Sequence, residues 1–155
     1  MICINNYKHM ENLSEVEILI IEDNQNDAEM ALRALKQNKV TNKVLVVNDG
    51  EHALDYIFAK GKFAGRAKNA LPKIILLDLK LPKIDGLQVL REIKNNPATK
   101  VIPVIMLTSS KEEKDIIQSY KLGVNSYIIK PVDFDKFVNA IRDLGMYWLL
   151  LNQHP

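Results

Sequence analysis

Apolar residues fall into five short runs along this chain, and each run stops at polar residues. The runs are Val16-Glu-Ile-Leu-Ile-Ile21, Val44-Leu-Val-Val47, Ile74-Ile-Leu-Leu77, Val101 to Leu107, and Asn125-Ser-Tyr-Ile-Ile129. Short, nearly unbroken runs of this kind fit strands covered on both faces, as in a parallel sheet. Between them the apolar spacing becomes helical. Asn26-Asp27 is expected to cap a helix that runs to about Lys39 and buries Ala28, Ala31, Leu32 and Leu35. Glu51 to Lys60 would bury Ala53, Leu54, Ile57 and Phe58. Leu87 to Asn95 turns Leu87, Leu90 and Ile93 inward and stops at Asn96-Pro97. Lys111 to Lys121 reads as a helix ended by Leu122-Gly123. Asp133 can cap a last helix expected to reach about Asn152.

Strand then helix, five times over, predicts an α/β fold: a single (βα)5 doubly wound parallel sheet with helices on both faces. Right-handed crossovers favour the flavodoxin-like strand order 2-1-3-4-5. Residues 1–14 are polar without a clear period and are expected to be a flexible lead-in. Residues 15–152 then form one domain with an extended C-terminal helix. Gly61 to Pro72 breaks the pattern with two glycines, a proline and the cations Lys62, Arg66 and Lys68. It reads as a solvated loop, a crossover longer than usual.

In a parallel sheet every strand ends on the same edge. The first strand would deliver Glu22 and Asp23 there, the third Asp78, the fourth Thr108 and the fifth Lys130. Taken singly, each has a plainer reading as a turn residue, a helix cap or a surface charge. Their joint placement on four strand ends argues for one site. Three close carboxylates repel one another, and their pKa values rise unless a cation joins them. Lys130 offsets part of that charge, and Mg2+ suits the remainder. Asp78 can attack a phosphoryl group and form an acyl phosphate. The metal, Lys130 and Thr108 would then hold the transferred oxygens. A carboxylate needs no base to activate it, and none of His9, His52 or His154 falls near a strand end.

Composition narrows the picture. The 155 residues suit one domain, and 47% hydrophobic with 26% charged is ordinary for a globular protein. A formal net charge of +2 gives no argument for nucleic acid. Cys3 is the single cysteine, so no internal disulfide forms. Met1 to Glu11 lacks the apolar core of a signal peptide, and no apolar run has the length of a membrane span. A cytoplasmic protein is expected, with no membrane partner.

These residues resemble the receiver domain of two-component response regulators, the chemotaxis-regulator fold, from about Val16 to Trp148. The resemblance rests on Glu22-Asp23, on Asp78 with Leu-Lys-Leu-Pro-Lys-Ile-Asp-Gly86 behind it, on Thr108-Ser109 and on Lys130-Pro131. Asn48-Asp-Gly50, the long loop, Ser119-Tyr120, Asn125-Ser-Tyr127 and Trp148 resemble the single-domain regulators that serve bacterial phytochrome-type histidine kinases. The resemblance implies that Asp78 accepts phosphoryl from a kinase phosphohistidine. It implies Mg2+ held by Asp23, Asp78 and the backbone carbonyl of Lys80, with Glu22 acting mainly through a metal-bound water. Thr108 and Lys130 would contact the phosphoryl oxygens, and the Lys130-Pro131 peptide would be cis. Tyr127 matches the switch aromatic that turns inward as Thr108 moves, reshaping the face of helix four, strand five and helix five.

Two departures stand out. Lys80 is cationic where the family often carries a neutral residue, and its ammonium is expected to cap the phosphoryl group and slow its hydrolysis. Met146-Tyr-Trp-Leu-Leu-Leu151 is apolar all round, where a surface helix keeps a polar face. It is expected to serve homodimerisation or kinase docking, with Tyr147, Trp148 and Leu151 as contacts, or else to fold back on its own domain. The main expectation is a phosphorylated switch without an output domain, not an enzyme beyond its own phosphorylation and dephosphorylation. A phosphorelay intermediate or a phosphate sink for the kinase is the alternative. An aspartyl phosphatase would want an acid where Lys80 stands. A flavin carrier would want a phosphate loop where Glu22-Asp23 would repel the phosphate. A degenerate receiver that only binds partners sits poorly with a complete set of site residues.

Overall fold

The structure is a computed structural model, and it describes residues 16–146 together with the backbone of residues 3–4. Its elements are β1 (Cys3–Ile4), β2 (Ile18–Ile21), α1 (Gln25–Gln37), β3 (Val44–Val47), α2 (Gly50–Ile57), a 3-10 turn (Gly61–Phe63), β4 (Ile74–Leu77), α3 (Gly86–Asn95), β5 (Val104–Thr108), α4 (Glu113–Lys121), β6 (Ser126–Ile129) and α5 (Phe134–Asp143). All strands pair in parallel in the order β1-β3-β2-β4-β5-β6. Strands β2 to β6 are the five expected ones, and their order is the flavodoxin-like 2-1-3-4-5. The short β1 extends the sheet beyond β3, with Cys3 opposite Val44 and Ile4 opposite Leu45. The sequence reading placed no strand there.

Alternation along each strand builds two cores. Leu19, Ile21, Ile75 and Leu77 pack with α2 and α3 through Ala53, Leu54, Ile57, Val89, Leu90 and Ile93. Ile18, Ile20, Ile74 and Leu76 pack on the other face with Leu35 of α1 and Phe137, Ala140 and Ile141 of α5. β2 and β4 are buried on both faces along their whole length, which explains why they contain no polar residue.

Several boundaries differ from the sequence reading, each for a local reason. The N-cap of α1 is Asn24, not Asn26-Asp27: its side chain accepts the Asp27 N–H at 2.9 Å. β5 starts at Val104, not Val101. The segment before it is a turn in which Thr99 donates its hydroxyl to the Ile93 carbonyl at 2.7 Å, and Val101 is exposed. α4 starts at Glu113, two residues later than expected. α2 ends at Ile57 and turns at Ala59, whose φ is 51°.

The last helix does not run on to Asn152. α5 stops at Asp143, and Gly145 takes φ 71°. Gly145 N–H donates to Arg142 O and Met146 N–H to Ile141 O, the paired bonds of a Schellman cap. Residues from Tyr147 onward, with Trp148 and Leu151, lie outside the described residues.

The segment from Gly61 to Pro72 is not a solvated loop. Phe63 is fully buried and meets Tyr56 edge to face at 5.4 Å. Arg66 is buried as well, and its guanidinium donates to the carbonyls of Tyr56, Ile57, Ala67 and Ala70 at 2.7–2.8 Å. It also stacks on the Tyr56 ring. A fork of fixed donors thus collects carbonyls at the end of α2 and in the loop. Lys62 and Lys68 are exposed, as expected. Arg66→Met should lower stability by about 2–4 kcal/mol, because it strands buried carbonyls. Urea unfolding of the two proteins checks this, and an unchanged midpoint would show the clamp to be dispensable.

Candidate functional site

The polar residues that end the strands converge at one edge of the sheet. Glu22 follows β2, Asp78 follows β4, Thr108 ends β5 and Lys130 follows β6. Carboxylate oxygens of Glu22, Asp23 and Asp78 all lie within 4.8 Å of one another. Glu22 and Asp78 are buried, and Asp23 is exposed. The Lys130 ammonium contacts Glu22 directly, stands 2.9 Å from Asp27 Oδ2, and is 3.6 Å from Asp78 Oδ2. Lys130-Pro131 is a cis peptide.

The backbone makes these approaches possible. Asp78 N–H donates to Ile21 O at 3.0 Å, which joins the ends of β2 and β4. Gly86 N–H donates to Leu79 O at 2.8 Å, and a Cβ on Gly86 would lie 2.2 Å from the Asp78 carbonyl oxygen. The loop that carries Lys80 therefore closes tightly against the start of α3, and only glycine fits there. Lys80 itself is exposed.

Electrostatics at this edge are dominated by burial. Burial pushes Glu22 up to about 7, with Asp78 beside it adding to the rise, and Lys130 offsets only part of this. For Lys130, burial pulls downward, but the bonds from Glu22 and Asp27 outweigh it and hold the ammonium above its ordinary value. A set of hard carboxylate oxygens with unbalanced negative charge fits a small divalent cation of the magnesium or manganese kind. Glu22, Asp23 and Asp78 are the side chains placed to hold one.

Thr108 is fully buried, and its Oγ1 accepts the Ser110 N–H at 3.3 Å. Tyr127 is half-buried and donates its hydroxyl to the Ser110 carbonyl at 3.0 Å. Ser110 in turn donates its own hydroxyl to Asp115 Oδ2 at 2.6 Å. The sequence reading named Thr108 and Tyr127 but missed Ser110, Asp115 and Asp27. Asp115 sits on the buried side of α4, where a polar residue breaks the apolar pattern, and that was its available signal. Asp27, expected as a helix cap, lies in the first turn of α1, which brings its carboxylate 2.9 Å from Lys130 at the same edge.

A cavity of about 490 Å³ opens beside this cluster between α1, α5 and the sheet. Its walls are apolar, including Ile20, Leu35, Leu107 and Phe137, and its rim carries Glu22, Asp27, Asp78 and Lys130.

The parallel sheet and this acidic edge define a receiver domain, and the chain belongs to the response regulator receiver domain family, whose model matches residues 18–142. Among similar curated proteins is response regulator Rcp1 of Synechocystis sp. (strain ATCC 27184 / PCC 6803 / Kazusa), 36% identical over 85% of this chain and 88% of Rcp1. Another is the probable methanogenesis regulatory protein FilR2 of Methanothrix harundinacea (strain 6Ac), 37% identical over 89% of this chain and 86% of that protein. Among solved structures, the bacteriophytochrome response regulator RtBRR is 50% identical with a TM-score of 0.79, covering 90% of this chain and 84% of that one. The Mn(2+)-bound form of Rcp1 superposes with a TM-score of 0.72 at 35% identity, covering 90% of this chain and 99% of that one. Among the described residues, no helix is long and apolar enough to cross a membrane.

A pH dependence follows for the metal-free protein. The folded pKa of Glu22 lies above its unfolded value, so its proton adds stability that is complete below about 4.5. That stability is lost as pH rises through about 7. Melting temperature plotted against pH should fall across this window and flatten in Glu22→Gln. An equal slope in both proteins would place the titration elsewhere.

Proposed function

We propose that this receiver takes a phosphoryl group on Asp78 from the phosphohistidine of a histidine kinase, with Mg2+ bound, and signals through a changed protein-binding face. The observation that carries this reading is the buried Asp78 carboxylate beside two further acids and within 3.6 Å of the Lys130 ammonium. An Asp78 oxygen attacks phosphorus, the bond from phosphorus to the histidine nitrogen breaks, and its electron pair stays on the imidazole. Mg2+ held by Glu22, Asp23, Asp78 and the Lys80 backbone carbonyl would supply charge neutralisation for the transferred oxygens. Lys130 moves from its acidic partners toward the new phosphoryl oxygens. Thr108 donates its hydroxyl to another of them.

The phosphoryl group adds about two negative charges. Drawing Thr108 inward breaks its contact with Ser110 N–H, and Ser110 also holds Tyr127 and Asp115. Support for a mobile α4 comes from its packing: its buried residues are Asp115 and Ser119, while Ile117 and Tyr120 are exposed. A helix held by polar contacts more than by apolar burial shifts at low cost. The response is a population shift of α4, β6 and α5.

Similarity to phytochrome response regulators supports a phytochrome-type kinase as the donor. Met30 and Val132, large apolar side chains exposed at the cavity rim, offer it a contact beside Asp78. Incubation with Mg2+ and acetyl phosphate, read by intact mass, should add one phosphoryl group to the wild type and none to Asp78→Asn. Labelling of both proteins alike would overturn the assignment. The same series followed in time gives the acyl-phosphate half-life, which Lys80→Asn should shorten.

Homodimerisation through the apolar segment with Tyr147, Trp148 and Leu151 completes the proposal. Sedimentation should show a dimer that weakens in Trp148→Ala. A monomer at high concentration, phosphorylated or not, would remove it.

A further inference from the structure

The Lys130 ammonium has three carboxylates around it, and the nearest two are not the acceptor. Glu22 lies in contact and Asp27 at 2.9 Å, while Asp78 is at 3.6 Å. Asp27 comes from the first turn of α1, whereas Asp78 follows β4. Its backbone is fixed, because Asn24 caps the helix by accepting the Asp27 N–H at 2.9 Å. Its side chain is 38% exposed, against 7% for Glu22 and 16% for Lys130. Asp27 lies outside the three carboxylates grouped closely enough to share one metal ion. Lys130 is the cation its carboxylate pairs with.

We propose that Asp27 is a positioning residue for Lys130, holding the ammonium on the α1 side of the site until a phosphoryl group draws it across. The inference rests on the phosphoryl-acceptor reading of Asp78. Glu22 is placed to turn toward a bound divalent ion, which loosens one of the two bonds on the lysine. Asp27 keeps the other. Phosphoryl transfer must then break a charge-assisted hydrogen bond before Lys130 reaches the incoming oxygens. The same fixed negative charge opposes the arriving dianion. Asp27→Asn keeps the shape and the capped backbone but removes the charge, so Lys130 is released earlier.

At saturating Mg2+, Asp27→Asn should be phosphorylated by acetyl phosphate about threefold faster than wild type, the size of a partly exposed ion pair. Asp27→Glu should restore the slower rate. A purely structural role for Asp27 would not depend on Lys130, so metal-free melting temperatures of Asp27→Asn, Lys130→Met and the double variant provide a second readout. The loss from Asp27→Asn should shrink or vanish in the Lys130→Met background. An unchanged or slower rate in Asp27→Asn, or full additivity of the two melting shifts, would overturn the proposal. If wild type takes up no phosphoryl group, the acceptor reading fails by itself, and the melting cycle still decides whether Asp27 and Lys130 are paired.

Discussion

One constraint organises this molecule: like charges buried together at the edge of a sheet. Glu22 and Asp78 are out of water, a few ångströms apart, with Asp23 beside them. Repulsion of that kind would open an unsupported loop. Here Glu22 and Asp78 each follow directly on a strand that is apolar on both faces, and the cores above and below β2 and β4 fix where these carboxylates stand. The hydrophobic burial of those strands holds the acids in place, and the Lys130 ammonium offsets only part of their charge. The remaining negative charge is what makes the edge receptive to a divalent cation.

The helices that cover the sheet differ in how firmly they are held. α2 and α3 bring a continuous apolar layer to one side, reinforced by Phe63 and the Arg66 clamp at the end of α2. α4 is attached differently, through Asp115, Ser119 and the Ser110 hydroxyl. Under the proposed phosphorylation of Asp78, one polar-held helix on rigid strands is the element free to respond. Ser110 joins Thr108, Tyr127 and Asp115 of α4 by hydrogen bonds.

Much of this was legible in the chain. The strand runs and the acids, hydroxyl and amine that end them were visible because a doubly buried strand admits no polar residue until it leaves the core. The resemblance to receivers rested on those same residues. Boundaries were less legible. Val101 looked like strand because it is β-branched and apolar, but the Thr99 hydroxyl bond and Pro103 delay the start of β5. Arg66 looked solvated because nothing in a Gly-, Lys- and Pro-containing stretch reveals that Tyr56, Ile57, Ala67 and Ala70 will turn four carbonyls toward it. Gly145 was passed over as a helix stop because the apolar run beyond it resembled more helix.

The linear pattern of residues already dictates the order of elements, the sheet that follows from it, and the set of groups delivered to one edge. Those follow from periodicity and from the rule that parallel strands end together. Which of those groups touch is settled by packing in three dimensions. That Lys130 stands nearer Glu22 and Asp27 than Asp78, and that one serine joins Thr108, Tyr127 and Asp115, depends on distances of a few tenths of an ångström between segments far apart in the chain. Side-chain geometry across elements is set by packing, and a linear pattern of apolar and polar residues carries no measure of it.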